Sequence, residues 1–466
     1  MKPLPTQLSG AKFLADRKTA LLADQPRVGK TGAAIMGADY ILARAILVVT
    51  TASGRSVWNR AFPVWSAFPR NVQVLTPKTP LRPDTEVVII SWGSASDPGL
   101  RTKLLSRRWD LIISDEDHWA KNFDAKRTQA FYGEMIEGGG RILVSTALAS
   151  KGERVWCLTG TPLPNSPLDA YPRLRVLAVD RLLANPAKGW PEVVKFKDFL
   201  NRYCDWFPMK VGRGSWARSQ IVVKNGKNEE ELRNRMGDWM LLRTQADVGI
   251  RPPVFETFPL TVSESNRRAT LATPQGREVL AKSGDAEASA LIKAAEADDA
   301  KILEMELGPK RRVTGEIKAR AVVEAVKEEF EGGLDKIVLA HWHKDVGQVL
   351  RDGLSSYGVV GIDGSTPPDA RAAAEMAFRN DPKIRVFVAQ IIAAGEAIDL
   401  SAAAELLFVE TSFVPKDMRQ MSDRIQNITQ SRNTRVRVAT LEGTVDDALQ
   451  AILLRKWSSI RKVLTQ

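Results

Sequence analysis

The sequence predicts an α/β protein in which two parallel-sheet units flank a mostly helical insert. From Ala20 to about Ala178, apolar runs such as AILVVT, EVVII and DLIIS alternate with helix-like stretches, as is typical of a parallel sheet covered by helices. The alternation returns after Lys310 with KIVLAHW, IRVFVAQ and ELLFVET. Trp-rich, charged and Ala/Glu/Lys-rich stretches with few strand signals lie between. We therefore predict a first unit over 1–180, a helical insert and linker over 181–310, and a second unit over 311–466.

Composition supports this organisation and narrows the class of partner. At about 150 residues per domain, 466 residues suggest roughly three structural units with two or three cores, and a hydrophobic fraction of 44% lets each unit bury a core. Lysine and arginine number 67 against 55 acids, and this excess of +12 favours a polyanionic partner. Two cysteines and three histidines are too few for a four-cysteine zinc site or a disulfide framework. Neither a signal peptide nor a membrane-spanning run is evident, so we expect no membrane partner.

A phosphate-binding loop is indicated by the window ALLADQPRVGKTGAAI. Gly29, Lys30 and Thr31 follow an apolar strand and precede a helix, so backbone N–H groups would face an anion. Lys30 would supply positive charge to the outer phosphates, and the Thr31 hydroxyl could ligate Mg²⁺. Asp24 stands where the full pattern has its first glycine, and GKT in isolation could also be a chance turn before a helix.

A second motif, which is acidic, makes an ATPase a better interpretation than a chance turn before a helix. WDLIISDEDHW is an apolar strand that ends in Asp115, suited to Mg²⁺, and Glu116, suited to orienting and deprotonating water. Upstream, the Gln7 amide could read an adenine edge. A later strand, VWCLTGTPLPN, runs into a turn with four candidate coupling residues: Thr159, Gly160, Thr161 and Pro162. These motifs together predict ATP and Mg²⁺ as cofactors.

At this point the sequence resembles a superfamily 2 helicase, and within that group a Swi/Snf-type translocase. The resemblance is carried by an ordered series over nearly the whole chain: Gln7, LLADQPRVGKT, ILVVTTASGRSVW, VVIISW, DEDHWAKN, LTGTPLPN, DGST, AAGEAIDL and QMSDRIQNITQ. NRYCDWF and MLLRTQADV resemble the protrusion and linker segments of the annealing-helicase branch. The resemblance implies two RecA-like lobes.

It also implies roles for individual residues. Gln7 matches the adenine-reading glutamine, Lys30 and Thr31 the phosphate and magnesium residues, and Asp115 and Glu116 the metal-binding and catalytic acids. In the second lobe, Arg424 matches an arginine that reaches the nucleotide and stabilises charge during phosphoryl transfer. Four further matches in that lobe are Gln420 and Asp423, for coupling, and Gly395 and Asp399, for nucleotide binding.

Several positions depart from the family pattern. Asn427 stands where a second arginine is usual, and the loss of a guanidinium predicts slow hydrolysis. Ala397 and Asp399 replace a common glycine and a common Asn or Thr, and Arg27 replaces the usual glycine before VGKT.

Contacts with the phosphate backbone of a nucleic acid are expected on loops at the strand ends of both lobes. Hydroxyl and N–H groups there can bind phosphates without reading the base sequence. Six residues match such positions: Thr50, Thr51, Ser91, Trp92, Ser365 and Thr366. For any one of them, ordinary turn chemistry is the alternative. KVGRGSWARSQIVVKNGK could form a basic hairpin at the duplex, although a solvated charged hairpin is equally compatible.

These observations predict a DNA-stimulated ATPase that translocates on duplex or branched DNA, in replication or recombination. One alternative is a nucleotide-gated DNA clamp with little turnover, which Asn427, Ala397 and Asp399 favour. Another is an RNA-directed helicase, since the motor motifs do not identify the sugar. We expect a monomer in a bacterial or phage-infected cytoplasm, with replication or recombination proteins as partners.

Overall fold

The computed structural model describes residues 2–133, 146–160, 162–163, 166–177, 195–211, 218–237, 239–261, 300–394, 398–412, 415–427, 430 and 432–441. The chain forms two compact units, Met1–Val248 and Gly249–Gln466. Each has its own parallel sheet, so the predicted pair of α/β units is confirmed.

The first unit is built on a seven-stranded sheet of order β3-β4-β2-β5-β6-β1-β9, in which every pairing is parallel. Its strands are β1 (Thr19–Leu22), β2 (Ile46–Thr50), β3 (Val72–Val74), β4 (Val87–Ser91), β5 (Trp109–Asp115), β6 (Gly152–Leu158) and β9 (Met240–Leu241). Its helices are α1 (Pro5–Ala15), α2 (Lys30–Tyr40), α3 (Gly54–Trp65), α4 (Trp92–Ala95), α5 (Pro98–Leu105), α6 (Lys126–Tyr132), α7 (Tyr171–Leu177), α8 (Phe196–Tyr203) and α9 (Glu229–Gly237).

Both faces of this sheet are buried. Along β2, Leu47 and Val49 belong to one apolar cluster, whereas Ile46 and Val48 belong to another on the opposite face. Side chains alternate between faces in a strand, so an uninterrupted apolar run indicates helices on both sides. This explains why the apolar runs predicted the strands.

The second unit has a six-stranded parallel sheet of order β10-β15-β14-β11-β13-β12. Its strands are β10 (Val254–Leu260), β11 (Ile337–His341), β12 (Val359–Ile362), β13 (Val386–Gln390), β14 (Glu405–Phe408) and β15 (Arg435–Leu441). Its helices are α10 (Ala300–Glu331), α11 (Lys344–Gly353), α12 (Pro368–Asn380), α13 (Ile391–Ala394) and α14 (Pro415–Ser422).

The segment over 181–310 holds more strand than we expected. Its described part contains an antiparallel hairpin of β7 (Cys204–Val211) and β8 (Arg218–Gly226), and it supplies β9 and β10 to the two sheets. Polar residues surround the short apolar centre of β8, so periodicity did not reveal the strand. The hairpin suggested for the basic stretch therefore exists, and its contact with a duplex stays a prediction. The described helices include none with the length and apolar character needed to cross a bilayer.

Candidate active site

The loop between β1 and α2 lies against the side chain of Gln7. Gly29 precedes α2 with a φ of 106°, a conformation that favours glycine. A Cβ atom on Gly29 would lie 2.7 Å from Gln7 Nε2, and one on Gly32 would lie 2.9 Å from the same atom. Gln7 is buried and its Oε1 accepts a 2.9 Å hydrogen bond from the Leu4 N–H. Glycine in the loop thus allows α1 to bring the predicted adenine-reading amide beside the phosphate loop.

The ammonium of Lys30 lies within the arc of this loop. Its Nζ donates to the carbonyl oxygens of Asp24 at 2.6 Å and Gln25 at 3.2 Å. Arg27, in the place of the usual glycine, has a φ of 71° and so adopts the left-handed conformation. The loop therefore keeps a backbone suited to glycine although its sequence departs from the usual pattern.

An arginine distant in sequence fixes the start of the loop. The guanidinium of Arg243, which follows β9, binds both carboxylate oxygens of Asp24, with 2.9 Å between Nε and Oδ1. It also donates to the Thr6 carbonyl and, at 2.9 Å, to Ser9 Oγ in α1. Asp24 is buried, and the Arg243 guanidinium compensates its negative charge inside the protein. Arg243 therefore joins the phosphate loop to the helix that carries Gln7.

The acidic motif occupies the end of the central strand β5. Asp115 Oδ2 accepts hydrogen bonds from Thr50 Oγ1 at 2.7 Å and Trp58 Nε1 at 2.8 Å. Burial raises the pKa of the Asp115 carboxyl, and the neighbouring charge of Glu116 raises it further. A divalent cation would relieve both effects, and carboxylate and hydroxyl oxygens are its preferred ligands. Asp115 therefore fits the expected Mg²⁺, and the role of the Thr31 hydroxyl, in the first turn of α2, stays a prediction.

Glu116 begins a tight turn that touches the loop after β6, which carries the predicted coupling residues Thr159 and Gly160 and is called the coupling loop below. Its φ is 50°, which is unusual for a residue other than glycine and often marks a functional site. His118 Nδ1 lies 3.1 Å from Glu116 Oε2 and 3.0 Å from Thr159 Oγ1. A Cβ atom on Gly160 would lie 2.9 Å from Cδ of Pro26 in the phosphate loop. The ends of β1, β5 and β6 thus bring three predicted motifs together, while Thr161 lies outside the described residues.

The predicted nucleic-acid residues of the first unit have internal partners. Thr50 donates to Asp115, and the Trp92 indole donates to the Asp115 carbonyl at 2.9 Å. Thr51 Oγ1 accepts from the Gly54 N–H, and Ser91 Oγ accepts from the Ser94 N–H. All four predicted residues are buried, so direct phosphate contact through these side chains stays a prediction that the geometry does not favour.

In the second unit, the DGST turn presents Ser365 to solvent. Asp363 Oδ1 accepts hydrogen bonds from the Ser365 N–H at 2.8 Å and its hydroxyl at 2.6 Å, and Thr366 Oγ1 accepts from the Asp363 N–H at 2.9 Å. These hydrogen bonds hold the turn together from within, and its contact with phosphates stays a prediction.

Asn427 and Asp399, two residues that depart from the family pattern, contact one another. Asn427 Nδ2 lies 3.3 Å from Asp399 Oδ2, which also lies 3.0 Å from a guanidinium nitrogen of Arg379. The Arg424 carbonyl accepts from the Leu400 N–H at 2.9 Å, so the loops that carry the last two predicted motifs lie together. Gln420 lies in α14 and Asp423 directly follows it, whereas Gly395 and Ala397 lie outside the described residues.

Comparison with protein families shows to which family the chain belongs. The model of the SNF2-related domain matches residues 6–269, which is more than half of the chain. The chain belongs to the SNF2-related domain family. The Swi/Snf-type resemblance that the motifs carried is therefore confirmed for the family.

Similar proteins extend the match over nearly the whole chain. The SWI/SNF-related matrix-associated actin-dependent regulator of chromatin subfamily A-like protein 1 of Xenopus tropicalis is 27% identical over 97% of this chain and 44% of its own length. The DNA annealing helicase and endonuclease ZRANB3 of Homo sapiens is 25% identical over 98% of this chain and 40% of its own. The chain thus spans less than half the length of these relatives. A solved Sulfolobus solfataricus SWI2/SNF2 ATPase core in complex with dsDNA is 18% identical, with a TM-score of 0.43, over 99% of this chain and 93% of that one.

For an SNF2-related chain, the structure adds residues that sequence reasoning missed. Arg243 lies in MLLRTQADV, which we treated as a linker segment, and Arg173 lies beyond the coupling loop. Asp117 stands within the acidic motif itself but received no role. An aspartate directly after the predicted catalytic pair, inside an apolar unit that must neutralise its charge, was the one available signal.

Proposed function

We propose that this chain hydrolyses ATP when it is bound to DNA and uses the cycle to move along the duplex, remodelling or annealing strands. The proposal is supported by its SNF2-related family and by the DNA annealing helicase among its relatives. The observation that carries it is that Lys30, which follows β1, and Asp115 and Glu116, at the end of β5, lie at the same edge of one parallel sheet, on either side of β6.

The proposed chemistry divides among these side chains. Lys30, at the start of α2, would bind the outer phosphates together with the backbone N–H groups around Gly29. A magnesium ion, when bound to Asp115 and Thr31, would supply positive charge against the phosphate oxygens. Glu116 would orient the attacking water and accept its proton, with His118 holding the carboxylate.

The first experiment measures steady-state ATP hydrolysis with duplex DNA, single-stranded DNA, RNA or no nucleic acid. We expect duplex DNA to stimulate most, and a larger response to RNA would support the RNA-directed alternative. Glu116→Gln should lower the stimulated rate by about 10²- to 10⁴-fold. Glu230→Gln, on the exposed face of α9, is the matched control and should hydrolyse ATP like wild type. Wild-type rates in both Lys30→Ala and Glu116→Gln would overturn the proposal.

The contact between Asn427 and Asp399 favours a second candidate, a DNA clamp gated by nucleotide with little turnover. A neutral amide there cannot stabilise phosphoryl-transfer charge as a guanidinium does. Rapid-mixing measurements separate the two functions, since a single burst of hydrolysis without steady turnover indicates the clamp.

A further inference from the structure

A buried charged cluster lies directly behind the turn that carries Glu116. The Asp117 carboxylate accepts from Arg173 Nε at 2.5 Å, from the Tyr132 hydroxyl at 2.5 Å and from Ser114 Oγ at 2.8 Å. The side chains of Asp117 and Arg173 are 1% and 2% exposed. Burying such a pair costs solvation free energy that an apolar pair of similar volume would not cost. Stability alone therefore does not explain why this position is charged.

The position of Asp117 makes its anchoring relevant to Glu116. It directly follows Glu116 and begins the short 3-10 helix Asp117–Ala120. The backbone of Glu116 is in the left-handed region, which is retained only when its surroundings enforce it. The three side chains that donate hydrogen bonds to the Asp117 carboxylate supply that constraint from the buried side of the turn. The direction of the Glu116 carboxylate therefore depends on them.

Arg173 also holds a second loop. Its Nη1 donates to the Pro162 carbonyl at 3.1 Å, in the segment that follows Thr159 and Gly160. One planar guanidinium thus bonds the turn after β5 through Nε and the loop after β6 through Nη1. A lysine ammonium at this place could retain the ion pair but lacks the fork that reaches both loops.

We propose that Arg173 is a positioning residue that ties the Glu116 turn to the coupling loop, so that the two loops move as one body. The inference rests on the proposed function, because it takes Glu116 as the base of ATP hydrolysis. His118, between Glu116 and Thr159, forms the other connection between these loops. Arg173 acts from the buried side of the same pair of loops.

The test compares Arg173→Lys with Arg154→Lys in the full chain. Arg154 Nη1 donates to the carbonyls of Ala15 at 2.9 Å and Arg17 at 3.1 Å, so the control removes another guanidinium that bonds two acceptors in the same unit, here without a carboxylate partner in these bonds. Arg173→Lys should lower the DNA-stimulated kcat by about ten- to hundredfold, because small misplacements of a catalytic group have effects of that size. Its KM for ATP should stay within about twofold of wild type, since the lost contact would act in the transition state. Arg154→Lys should keep the wild-type kcat.

The double variant Asp117→Asn with Arg173→Met keeps the test valid if a single substitution prevents folding. It removes both charges, which relieves the unpaired buried charge, but it cannot restore the bond to the Pro162 carbonyl. We expect a folded protein that still hydrolyses ATP slowly. A wild-type kcat in either this variant or Arg173→Lys would overturn the inference.

Hydrogen exchange separates failure of the inference from failure of the proposed function. In Arg173→Lys without nucleotide, the amides of Trp119, in the turn that follows Glu116, and Thr159, in the coupling loop, should both exchange faster than in wild type. The Val48 amide on β2 serves as the internal reference. If wild type hydrolyses no ATP, the proposed function fails, and the inference then stands or falls on whether the two loops loosen together.

Discussion

Replacing Arg243 by methionine should detach the start of the phosphate loop from the rest of the first unit. Arg243 binds the carboxylate of Asp24, and its other bonds go to Thr6 and Ser9 in α1. The Asp24 carbonyl in turn accepts from Lys30 Nζ at 2.6 Å. The substitution therefore leaves the buried carboxylate of Asp24, the residue whose carbonyl accepts from Lys30, without its guanidinium.

The expected magnitude follows from burial. Side-chain exposures of 12% for Arg243 and 1% for Asp24 place this pair close to the fully buried limit. Removal of one partner from such a pair costs about 3–5 kcal/mol, and the partial exposure of Arg243 points to the lower end, about 3 kcal/mol. For a unit of this size, that corresponds to a fall in Tm of about 6–12 °C. Removing both charges, with Asp24→Asn and Arg243→Met together, should recover most of this loss.

Thermal unfolding and equilibrium binding of a fluorescent ATP analogue provide the assay, with hydrogen exchange at two amides as the local readout. The Ala23 N–H donates to the Leu241 carbonyl at 2.7 Å, and the Gln25 N–H donates to the Arg243 carbonyl at 2.9 Å. Both should lose protection in Arg243→Met.

The matched control for this experiment is Arg70→Met. Arg70 Nη2 lies 2.6 Å from Asp39 Oδ1 in a similarly buried pair, with exposures of 3% and 7%. It should lose comparable stability without weakening nucleotide binding. An Arg243→Met protein with a Tm within about 2 °C of wild type and unchanged nucleotide affinity would refute the reasoning.

Three further outcomes are expected. At position 27, glycine should be more stable than alanine by about 1 kcal/mol in urea unfolding, because both lack the Arg27 side chain and only glycine tolerates a φ of 71° without strain; equal stabilities would show that the loop relaxes. Hydrogen bonds from Ser365 above all, and the nearby Lys344 charge, lower the pKa of Asp363 to about 2. That carboxylate therefore contributes stability that is lost as the pH falls from about 4 to about 2, and Asp363→Asn should flatten the acid dependence of unfolding there; an unchanged profile would contradict this. Asn427→Arg should raise steady-state ATP turnover by about tenfold or more if the missing guanidinium limits the rate, whereas an unchanged rate would place the limit elsewhere.

The parts of the fold and site that depend on local sequence could be predicted. Buried strands such as ILVVT show themselves by uninterrupted apolar runs, and the strand-to-helix turn before Lys30 shows itself by its glycine and lysine. The contacts that hold the site could not be predicted, because they join residues far apart in sequence. Arg243 lies 219 positions from Asp24, and no periodicity indicates that β9 returns to the edge beside β1.

The same limit affected the predicted nucleic-acid residues. A hydroxyl or indole at a strand end can face solvent or the neighbouring strand end, and the sequence does not distinguish these orientations. Thr50 and Trp92 both face the end of β5, where they bind the carboxylate and the carbonyl of Asp115. The sequence placed these residues at strand ends, where the structure has them, and left the directions of their side chains open.

Ion pairs between acidic residues and arginines in the first unit indicate which carboxylates can bind a cation beside a triphosphate. An uncompensated negative charge near phosphates would oppose their binding. Arg243 neutralises Asp24, at the start of the phosphate loop, and Arg173 neutralises Asp117, in the turn that follows Glu116. Asp115 instead accepts from the neutral donors Thr50 and Trp58, which fix its orientation without cancelling its charge. Its negative charge therefore remains available to a cation. Because the two arginines already neutralise Asp24 and Asp117, a bound cation would be attracted mainly to Asp115 among these three carboxylates.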